Sequence, residues 1–494
     1  MKSRPGIGAV FAIDLKRLFP EGGFLRHFVS VSGSMIAAQV VSVVSSPLNS
    51  RLYKPEDYGL MALFGAVSAV LSVLATMRYE MAIPVAEDDC EAAHLLVLSF
   101  VLLGALTAIV ALISLSWGSK LVPMLTDDLR MVQYLWFLPV SLFGCSMYAV
   151  LSSWATRKSD FRTLSVSRVV QSVNGSCVTV GLGFLRSGIL GMIIGGIVGQ
   201  SSGVLGLLRN SVSDVRALPG RITFAGVYRA ARRHRRYPIY TVWNTLFNSV
   251  SSYMPTLILV SQFGPRETGY FSLSQRILLL PTVLIAGAMA PVFYSRAKKA
   301  HEEGRLGELA QKVACSIAGV NAFFLLFLVA FGPDAFSFVF GEQWRRAGVY
   351  SSLLTPWLFV NFIVTPLATL PYVLERQRED LIFNMVLTVL RFGSLLIGSL
   401  YCSDLLAVGL FGIVSAIYMM VYLRWLMSLV SADFTQVLRQ MARELIILAP
   451  PVAACRAVHL LEGAHVRLTM AAITIVALWA LRRNLMFLRM KVLA

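Results

Sequence analysis

Charged side chains are scarce in this chain of 494 residues: they make up 14% of it, whereas apolar residues make up 56%. Soluble proteins usually carry about a quarter charged residues. Charge is absent from whole stretches that reach the roughly 20 residues a helix needs to cross a bilayer. Six such stretches are 28–50, 58–77, 131–156, 187–208, 237–263 and 347–374. This deficit predicts an all-α polytopic membrane protein.

Signatures of energy coupling, redox chemistry and metal binding are also missing. No GxxxxGK[ST] loop occurs, so the sequence does not predict an ATPase. The six cysteines stand singly, without a CxxC pair or histidines at metal-ligand spacing, and we interpret them as small apolar fillers. We therefore expect no metal and no other cofactor.

A count along the chain predicts about fourteen helices that cross the membrane. We expect Pro450-Pro451 to break the thirteenth, because proline removes a hydrogen-bond donor and clashes with the preceding turn. The predicted spans are 28–50, 58–77, 92–117, 131–156, 163–185, 187–208, 237–263, 269–295, 313–333, 347–374, 381–401, 405–429, 445–461 and 467–481.

Basic residues are distributed unevenly between the segments that join these spans. With the N-terminus inside, 30 of the 44 lysines and arginines fall in inner segments and nine in outer segments. This bias satisfies the positive-inside rule and predicts that both termini are cytoplasmic. The most basic segment, 209–236, lacks the aromatic platforms of a nucleic-acid site, so we interpret it as an anchor against anionic lipid and expect no nucleic-acid partner.

Two short charged turns indicate an internal repeat. "RLYKPEDYG" at 51–59 and "FGPRETGYF" at 263–271 align Pro55 with Pro265 and Gly59 with Gly269, both at an offset of 210 residues. A weaker echo links "RKSD" at 157–160 with "RQRED" at 376–380. Six spans per copy would make the halves parallel repeats around a cavity. We expect the turns to lie at the outer face with solvated charges.

The repeat predicts the organisation of the whole chain. We expect the two lobes to be pseudo-symmetric six-helix bundles around a central cavity. The predicted parts are a cytoplasmic segment 1–27, an N-terminal lobe 28–208, a basic cytoplasmic linker 209–236, a C-terminal lobe 237–429, and a final helix pair with a basic tail 430–494.

Five arginines fall inside predicted spans, namely Arg168, Arg276, Arg391, Arg424 and Arg456, whereas no acidic residue lies well inside one. A charge in hydrocarbon costs at least about 3 kcal/mol, so each needs a partner, a wet cavity or a route to the interface. Reaching back to the headgroups is one explanation. The other is binding of an anionic substrate, for which Arg276, Arg391 and Arg168 are the candidates.

Two equivalent spans carry polar stripes at intervals of three to four residues, which places each stripe along one helix face. Hydrogen bonds between helices would explain them. A cavity lined for a polar substrate would also explain the stripes. We therefore include six residues of the two stripes among the candidate binding residues. The stripes are Tyr240, Asn244, Asn248 and Ser252 in the seventh span, and Gln39, Ser42, Ser46 and Asn49 in the first; the last two are not candidates. Arg78 and Glu80 are candidates at the inner mouth, either as a local ion pair or as substrate contacts.

The opening spans resemble a known family. "SPLNSRLYKPEDYGLMALF" at 46–64, followed by "LATMRYEMAIPVAEDDCEAAHLL" at 74–96, is similar to the Wzx-like polysaccharide flippases of the multidrug/oligosaccharidyl-lipid/polysaccharide exporter superfamily. The resemblance implies two lobes around a cationic cavity and a final helix pair. It also implies that a polyprenyl-diphosphate-linked oligosaccharide crosses the bacterial inner membrane to the periplasmic leaflet, as in O-antigen or exopolysaccharide synthesis. Membrane lipids and other polysaccharide assembly proteins are the implied partners.

Two other functions remain open at this point. A cation-coupled drug exporter of the same superfamily would share the fold, but it usually needs a carboxylate within the membrane. A membrane polymerase or acyltransferase would need a large outer loop with acid and base residues. The longest predicted outer segments, 118–130 and 334–346, hold only 13 residues each. We therefore expect a transporter without catalytic residues.

Overall fold

The computed structural model describes residues 23–124, 126, 128, 130–217 and 222–462. All regular secondary structure in these ranges is helical. Eight helices within the described residues are long and apolar enough to cross a membrane. The all-α polytopic fold predicted from the charge-free stretches is therefore confirmed.

Thirteen helices, α1 to α13, overlap the first thirteen predicted spans. Gly264, with φ +83°, interrupts the run Val242–Glu302, and we call its two parts α7 (242–263) and α8 (265–302). The other bounds are α1 Gly23–Leu52, α2 Pro55–Ala75, α3 Asp89–Leu121, α4 Phe137–Arg157, α5 Phe161–Phe184, α6 Ile189–Ser202, α9 Leu306–Phe340, α10 Arg345–Leu367, α11 Gln377–Leu400, α12 Asp404–Leu429 and α13 Phe434–Glu462. The fourteenth predicted span lies outside the described residues.

The expected break in the thirteenth helix is wrong. α13 continues through Pro450 and Pro451 and begins at Phe434, eleven residues before the predicted start. The proline ring holds φ near helical values, so the chain can keep its helical course through both residues. Packing against a neighbouring helix can offset the lost donor and the steric strain. α13 packs along α9. The early start also places the buried Glu444 inside a helix, which the predicted boundary did not do.

The two charged turns pack directly against each other. A Cβ on Gly59 would meet the carbonyl oxygen of Pro265, and a Cβ on Gly269 would meet that of Pro55, both closer than 3.0 Å. Only glycine permits this approach, which brings the N-terminal ends of α2 and α8 into backbone contact. The contact is reciprocal, as a two-fold relation between the predicted repeats would make it.

The expectation that the charges of the first turn are solvated is wrong for Asp57. This side chain is 6% exposed and accepts a hydrogen bond from the Lys54 backbone N–H (3.1 Å). Unpaired N–H groups at a helix N-terminus favour a carboxylate there. The neighbouring Glu56 pairs with Arg266 of the second turn (3.5 Å). The end of the molecule that carries both turns, which we call the elbow end, is thus held by contacts between the halves.

Trp344, just before α10, completes this closure. It is fully buried, and its Nε1 donates to the carbonyl oxygen of Ser50 at the end of α1 (2.7 Å). The Gln343 side chain donates to the same oxygen (2.7 Å). The ring of Tyr58 meets Trp344 edge-on, with centroids 4.7 Å apart. One aromatic cluster thereby joins α1 and α2 to the C-terminal half.

The opposite end carries the basic linker. Its helix, Phe224–Arg233, packs on the start of α3, where Gly226 lies against the His94 ring. Arg233 forms ion pairs with Glu87 and Glu91. Phe224 and other residues of the opposite face are exposed. The predicted role of this segment as a lipid anchor remains a prediction.

α5 begins at the same end. Its N-cap Asp160 accepts hydrogen bonds from the Thr163 backbone N–H (3.1 Å) and the Asn210 amide (3.0 Å). Burial acts to raise the pKa of Asp160, but these hydrogen bonds outweigh it and hold the pKa below its ordinary value. The carboxylate therefore stabilises the start of α5 while it stays charged.

Candidate functional site

A cavity of about 590 Å³, with both apolar and polar walls, lies between the two halves of the chain. Its walls come from α2, α4 and α6 on one side and from α7 and α8 on the other. We call it the central cavity. Its polar or charged lining residues are Ser68, Ser72, Ser141, Gln200, Ser252, Tyr253, Thr256, Ser272, Gln275 and Arg276. No carboxylate appears among the described residues that line it.

Arg276 on α8 supplies the positive charge of the central cavity. Its Nη2 donates a hydrogen bond to Ser42 Oγ on α1 (2.8 Å), so two of the predicted binding residues meet across the halves. The arginine is exposed and forms no ion pair with any residue that the structure describes. Four of the five guanidinium donors have no hydrogen-bond partner within the described ranges, so they can bind an anion.

A second cavity, of about 660 Å³, lies between α7 and α11, and we call it the C-terminal cavity. Three residues of the predicted α7 stripe line it: Asn244, Asn248 and Ser252. Arg391 lines it from α11. The stripe on α7 therefore faces a cavity over most of its length. Of the two interpretations of the stripe, hydrogen bonds between helices and a cavity lining, this arrangement fits the second.

Arg391 is held on two aromatic rings. Its guanidinium carbon lies 4.8 Å from the ring centre of Trp357 and 5.2 Å from that of Phe411. Its Nε donates to Ser415 Oγ (2.9 Å). The Nη2 atom is buried without a hydrogen-bond partner among the described residues. Cation–π contacts stabilise this charge, but they leave a donor unsatisfied, which costs about 1–3 kcal/mol.

The structure thus separates the two arginines that the sequence grouped together. Arg276 lines the central cavity and Arg391 lines the C-terminal cavity. Ser252 lines both, so the cavities adjoin at that residue. A ligand bound at Arg276 has a polar path toward Arg391 along α7.

The remaining candidates lie outside both cavities. Arg168 on α5 has a buried Nη1 without a partner in the described part of the chain. Tyr240 is exposed in the short π-helix Tyr237–Thr241 before α7, and Gln39 is half-buried on α1. Their predicted role in substrate binding remains a prediction.

The two inner-mouth candidates form a local ion pair. Arg78 Nη1 lies 3.2 Å from Glu80 Oε1, and the Glu80 carboxylate also accepts a hydrogen bond from Thr76. Arg78 has a φ of +60°, which places it in the left-handed region. Glu80 is buried, so this pair fixes the turn after α2. Arg456, one of the two arginines in predicted spans that are not candidates, pairs with Asp334.

Several cavity residues were not predicted from the sequence. A detectable signal did exist on α11, where Asn384, Thr388 and Arg391 recur at intervals of four and three residues and so share a helix face. On α8, Ser272, Gln275 and Arg276 of the central cavity likewise share a helix face, whereas Gln200 stands beside Ser201 and Ser202 without such a spacing.

Comparison with known proteins places the chain in a family. The family model described as "Polysaccharide biosynthesis protein" matches residues 49–348, more than half of the chain. The chain belongs to this family. No curated protein sequence matches this family member significantly.

Solved structures show the same fold as this member of the polysaccharide biosynthesis family. It is similar to the "Lipid II flippase MurJ, inward closed conformation", with a TM-score of 0.66, 13% identity, and coverage of 93% of this chain and 98% of the other. A multidrug resistance MATE family transporter of the MOP superfamily, in an inward-facing conformation, has a TM-score of 0.54 and 17% identity over 81% of this chain and 94% of its own. A mutant of the Vibrio cholerae MATE transporter VcmN has a TM-score of 0.52 and 15% identity, over 84% of this chain and 96% of its own.

Proposed function

We propose that this protein is a flippase for polyprenyl-diphosphate-linked oligosaccharides, which it moves from the cytoplasmic to the periplasmic leaflet of a bacterial inner membrane. The observation that carries the proposal is Arg276, a cation without an ionic partner among the described residues, on the wall of a cavity between the two halves. Membership of a polysaccharide biosynthesis family supports a glycan as cargo.

A diphosphate fits the chemistry of Arg276. The linkage carries about two negative charges, and a guanidinium binds phosphate oxygens through two parallel donors. The serine and glutamine side chains around Arg276 can donate to the remaining oxygens. The carrier tail is apolar and can stay in the lipid, so only the charged and sugar parts need a polar route.

Alternating access would require the two halves to separate at the elbow end. In this structure the backbones of α2 and α8 touch there, and Trp344 is buried between them. Opening toward the periplasm requires these contacts to break while the opposite end closes. Interfaces that have two packed arrangements serve this purpose in transporters.

A cation-coupled drug exporter has less support than a flippase, although the fold is shared. A cationic drug would need a carboxylate near its binding site. The described lining of the central cavity contains an arginine and no acid. A cavity of this sign attracts anions and disfavours cations.

Export of surface glycan by cells that lack the native protein and express variants tests the proposal. Arg276→Ala should abolish export and cause lipid-linked glycan to accumulate, because the diphosphate loses its charged partner. Arg276→Lys should restore part of the export, since it keeps the charge without the planar pair of donors. Arg266→Ala is the matched control, because this exposed arginine lies at the elbow end of the same helix and pairs with Glu56. Wild-type export by Arg276→Ala at equal protein levels would refute the proposed site.

A further inference from the structure

The C-terminal cavity is not an automatic result of how these helices pack. In the predicted repeat, α1 and α5 of the N-terminal half correspond to α7 and α11. There the two helices pack closely, with Ser45 Oγ 3.2 Å from Ser176 Oγ and Ser172 Oγ 2.6 Å from the Ala38 carbonyl oxygen. α7 and α11 also meet at one hydrogen bond, between the Ser251 and Thr388 hydroxyl groups (2.6 Å), but beside it they border a cavity of about 660 Å³. Among the described residues, α1 and α5 thus touch through their side chains where α7 and α11 border a cavity.

The walls of the C-terminal cavity suit a carbohydrate. Asn244, Asn248, Gln377 and Asn384 line it, and all four side chains are exposed. An amide side chain both donates and accepts hydrogen bonds, as a sugar hydroxyl does. Tyr372 adds an aromatic ring with a polar tip, which can pack on the C–H face of a pyranose.

The charge of the cavity favours an acidic sugar. Arg378 and Arg391 line it. The described part of its lining contains one carboxylate, Asp380, which accepts a hydrogen bond from the Tyr422 hydroxyl (2.5 Å). Arg378 has no ion pair with any residue in the described ranges, although the nearby Arg376 pairs with Glu379. Positive charge is thus in excess, and a carboxylate on the ligand would balance it.

The position of the cavity links it to the diphosphate site. Ser252 lines both cavities, so the C-terminal cavity begins where the central cavity ends. In the proposed substrate the first sugar is bonded directly to the diphosphate. With the diphosphate at Arg276, the sugars can extend past Ser252 along the amide groups of α7.

We propose that the C-terminal cavity is the glycan subsite of this protein and that it selects oligosaccharides carrying a carboxylate, with Arg378 as a specificity-determining residue. The inference rests on the proposed function, because it takes the diphosphate to bind at Arg276. It adds a class of sugar and a set of residues that recognise it.

Binding of three lipids to the purified full chain in lipid nanodiscs tests this subsite. The lipids are polyprenyl diphosphate without sugar, the same lipid with a neutral disaccharide, and the same lipid with a disaccharide containing glucuronic acid. The wild type should bind the acidic lipid about 10-fold more tightly than the neutral one, as expected for one charge-assisted contact. It should bind the neutral lipid more tightly than the bare one.

Variants separate the contributions of the subsite. Arg378→Gln should remove the preference for the acidic lipid and leave affinity for the bare lipid unchanged. Asn248→Leu with Asn384→Leu should bring the neutral and bare lipids to equal affinity. Arg376→Gln makes the same change in charge at an arginine that does not line the cavity, and it should behave like the wild type.

The outcomes distinguish the inference from the proposed function. Equal binding of all three lipids by the wild type, with loss of all binding in Arg276→Gln, would overturn the glycan subsite and leave the flippase proposal standing. Equal affinity for the neutral and acidic lipids, or an unchanged preference in Arg378→Gln, would overturn the acidic selectivity. Failure of the wild type to bind even the bare lipid would contradict both.

Discussion

Substitution of Gly59 by alanine should disturb the contact that closes the elbow end. The added Cβ would lie closer than 3.0 Å to the carbonyl oxygen, carbonyl carbon and Cα of Pro265. These are backbone atoms, so no side-chain rotation relieves the clash and α2 must move away from α8. Overpacking of this kind costs about 1–3 kcal/mol. At 1.36 kcal/mol for each factor of ten, the elbow-closed conformation should lose about 5-fold to 150-fold in population relative to an elbow-open one.

Native Cys145 reports this change, because it lines the central cavity. In intact cells, a membrane-impermeant thiol reagent should modify Cys145 faster in Gly59→Ala than in the wild type, with the site identified by mass spectrometry. The melting temperature of the purified variant should fall.

Gly104→Ala is the matched control for this substitution. It adds the same methyl group inside α3, where no atom outside the local helix backbone lies within 4 Å of the new Cβ. It should leave labelling unchanged and stabilise the protein slightly, since alanine favours a helix by about 0.5–1 kcal/mol over glycine. Equal melting temperatures and equal Cys145 labelling in the two variants would refute the role of the glycine contact.

Three further substitutions test other parts of the structure. Arg346→Gln should lower the melting temperature, because this arginine bonds both Glu267 (3.0 Å) and Asp404 (2.5 Å) and an exposed ion pair contributes up to about 1 kcal/mol. An unchanged melting temperature would contradict this. Asp160→Ala should destabilise α5 by about 1 kcal/mol at neutral pH. Because the folded pKa of Asp160 lies below 3.8, the stabilisation is present above that pH and is lost as the pH falls through the folded pKa. The melting temperatures of wild type and variant should therefore converge at low pH. A difference that stays constant with pH would disprove the N-cap role. Arg391→Leu should raise the melting temperature, since it removes a buried unsatisfied donor, and a lower melting temperature would contradict this. The same variant should reduce glycan export, and unchanged export would contradict that expectation.

The sequence predicts the helices well because hydrocarbon leaves few alternatives. A charge-free run of about 20 residues must satisfy its backbone internally, and a helix does so. Each of the first thirteen predicted spans overlaps a helix. The thirteenth span was predicted, but the expected break at Pro450 and Pro451 was wrong, because a local rule about proline does not include support from α9.

The site was predicted only in part. The period of four on α7 identified the face that lines the C-terminal cavity, since periodicity defines a helix face. Periodicity does not say which helix that face meets. The sequence therefore could not show that Arg276 and Arg391 line different cavities, or that α11 supplies the opposite wall.

The echo between the two turns had a physical cause that the alignment alone could not reveal. Gly59 and Gly269 match because each must admit the backbone of the other turn. Asp57 was expected to be solvated because it stands in a charged segment, whereas it is buried at the N-terminus of α2. A charged segment can thus mark a helix contact as well as a loop in water.

Transport by the purified protein in vesicles tests the central claim most directly. Vesicles would carry a fluorescent polyprenyl-diphosphate disaccharide in one leaflet, and quenching by an impermeant reagent would measure its crossing, with and without an ion gradient or membrane potential. The account predicts crossing with the wild type and with Arg266→Ala, and a rate near that of protein-free vesicles with Arg276→Ala. A wild-type rate equal to that of protein-free vesicles under every gradient, or full transport by Arg276→Ala, would contradict it.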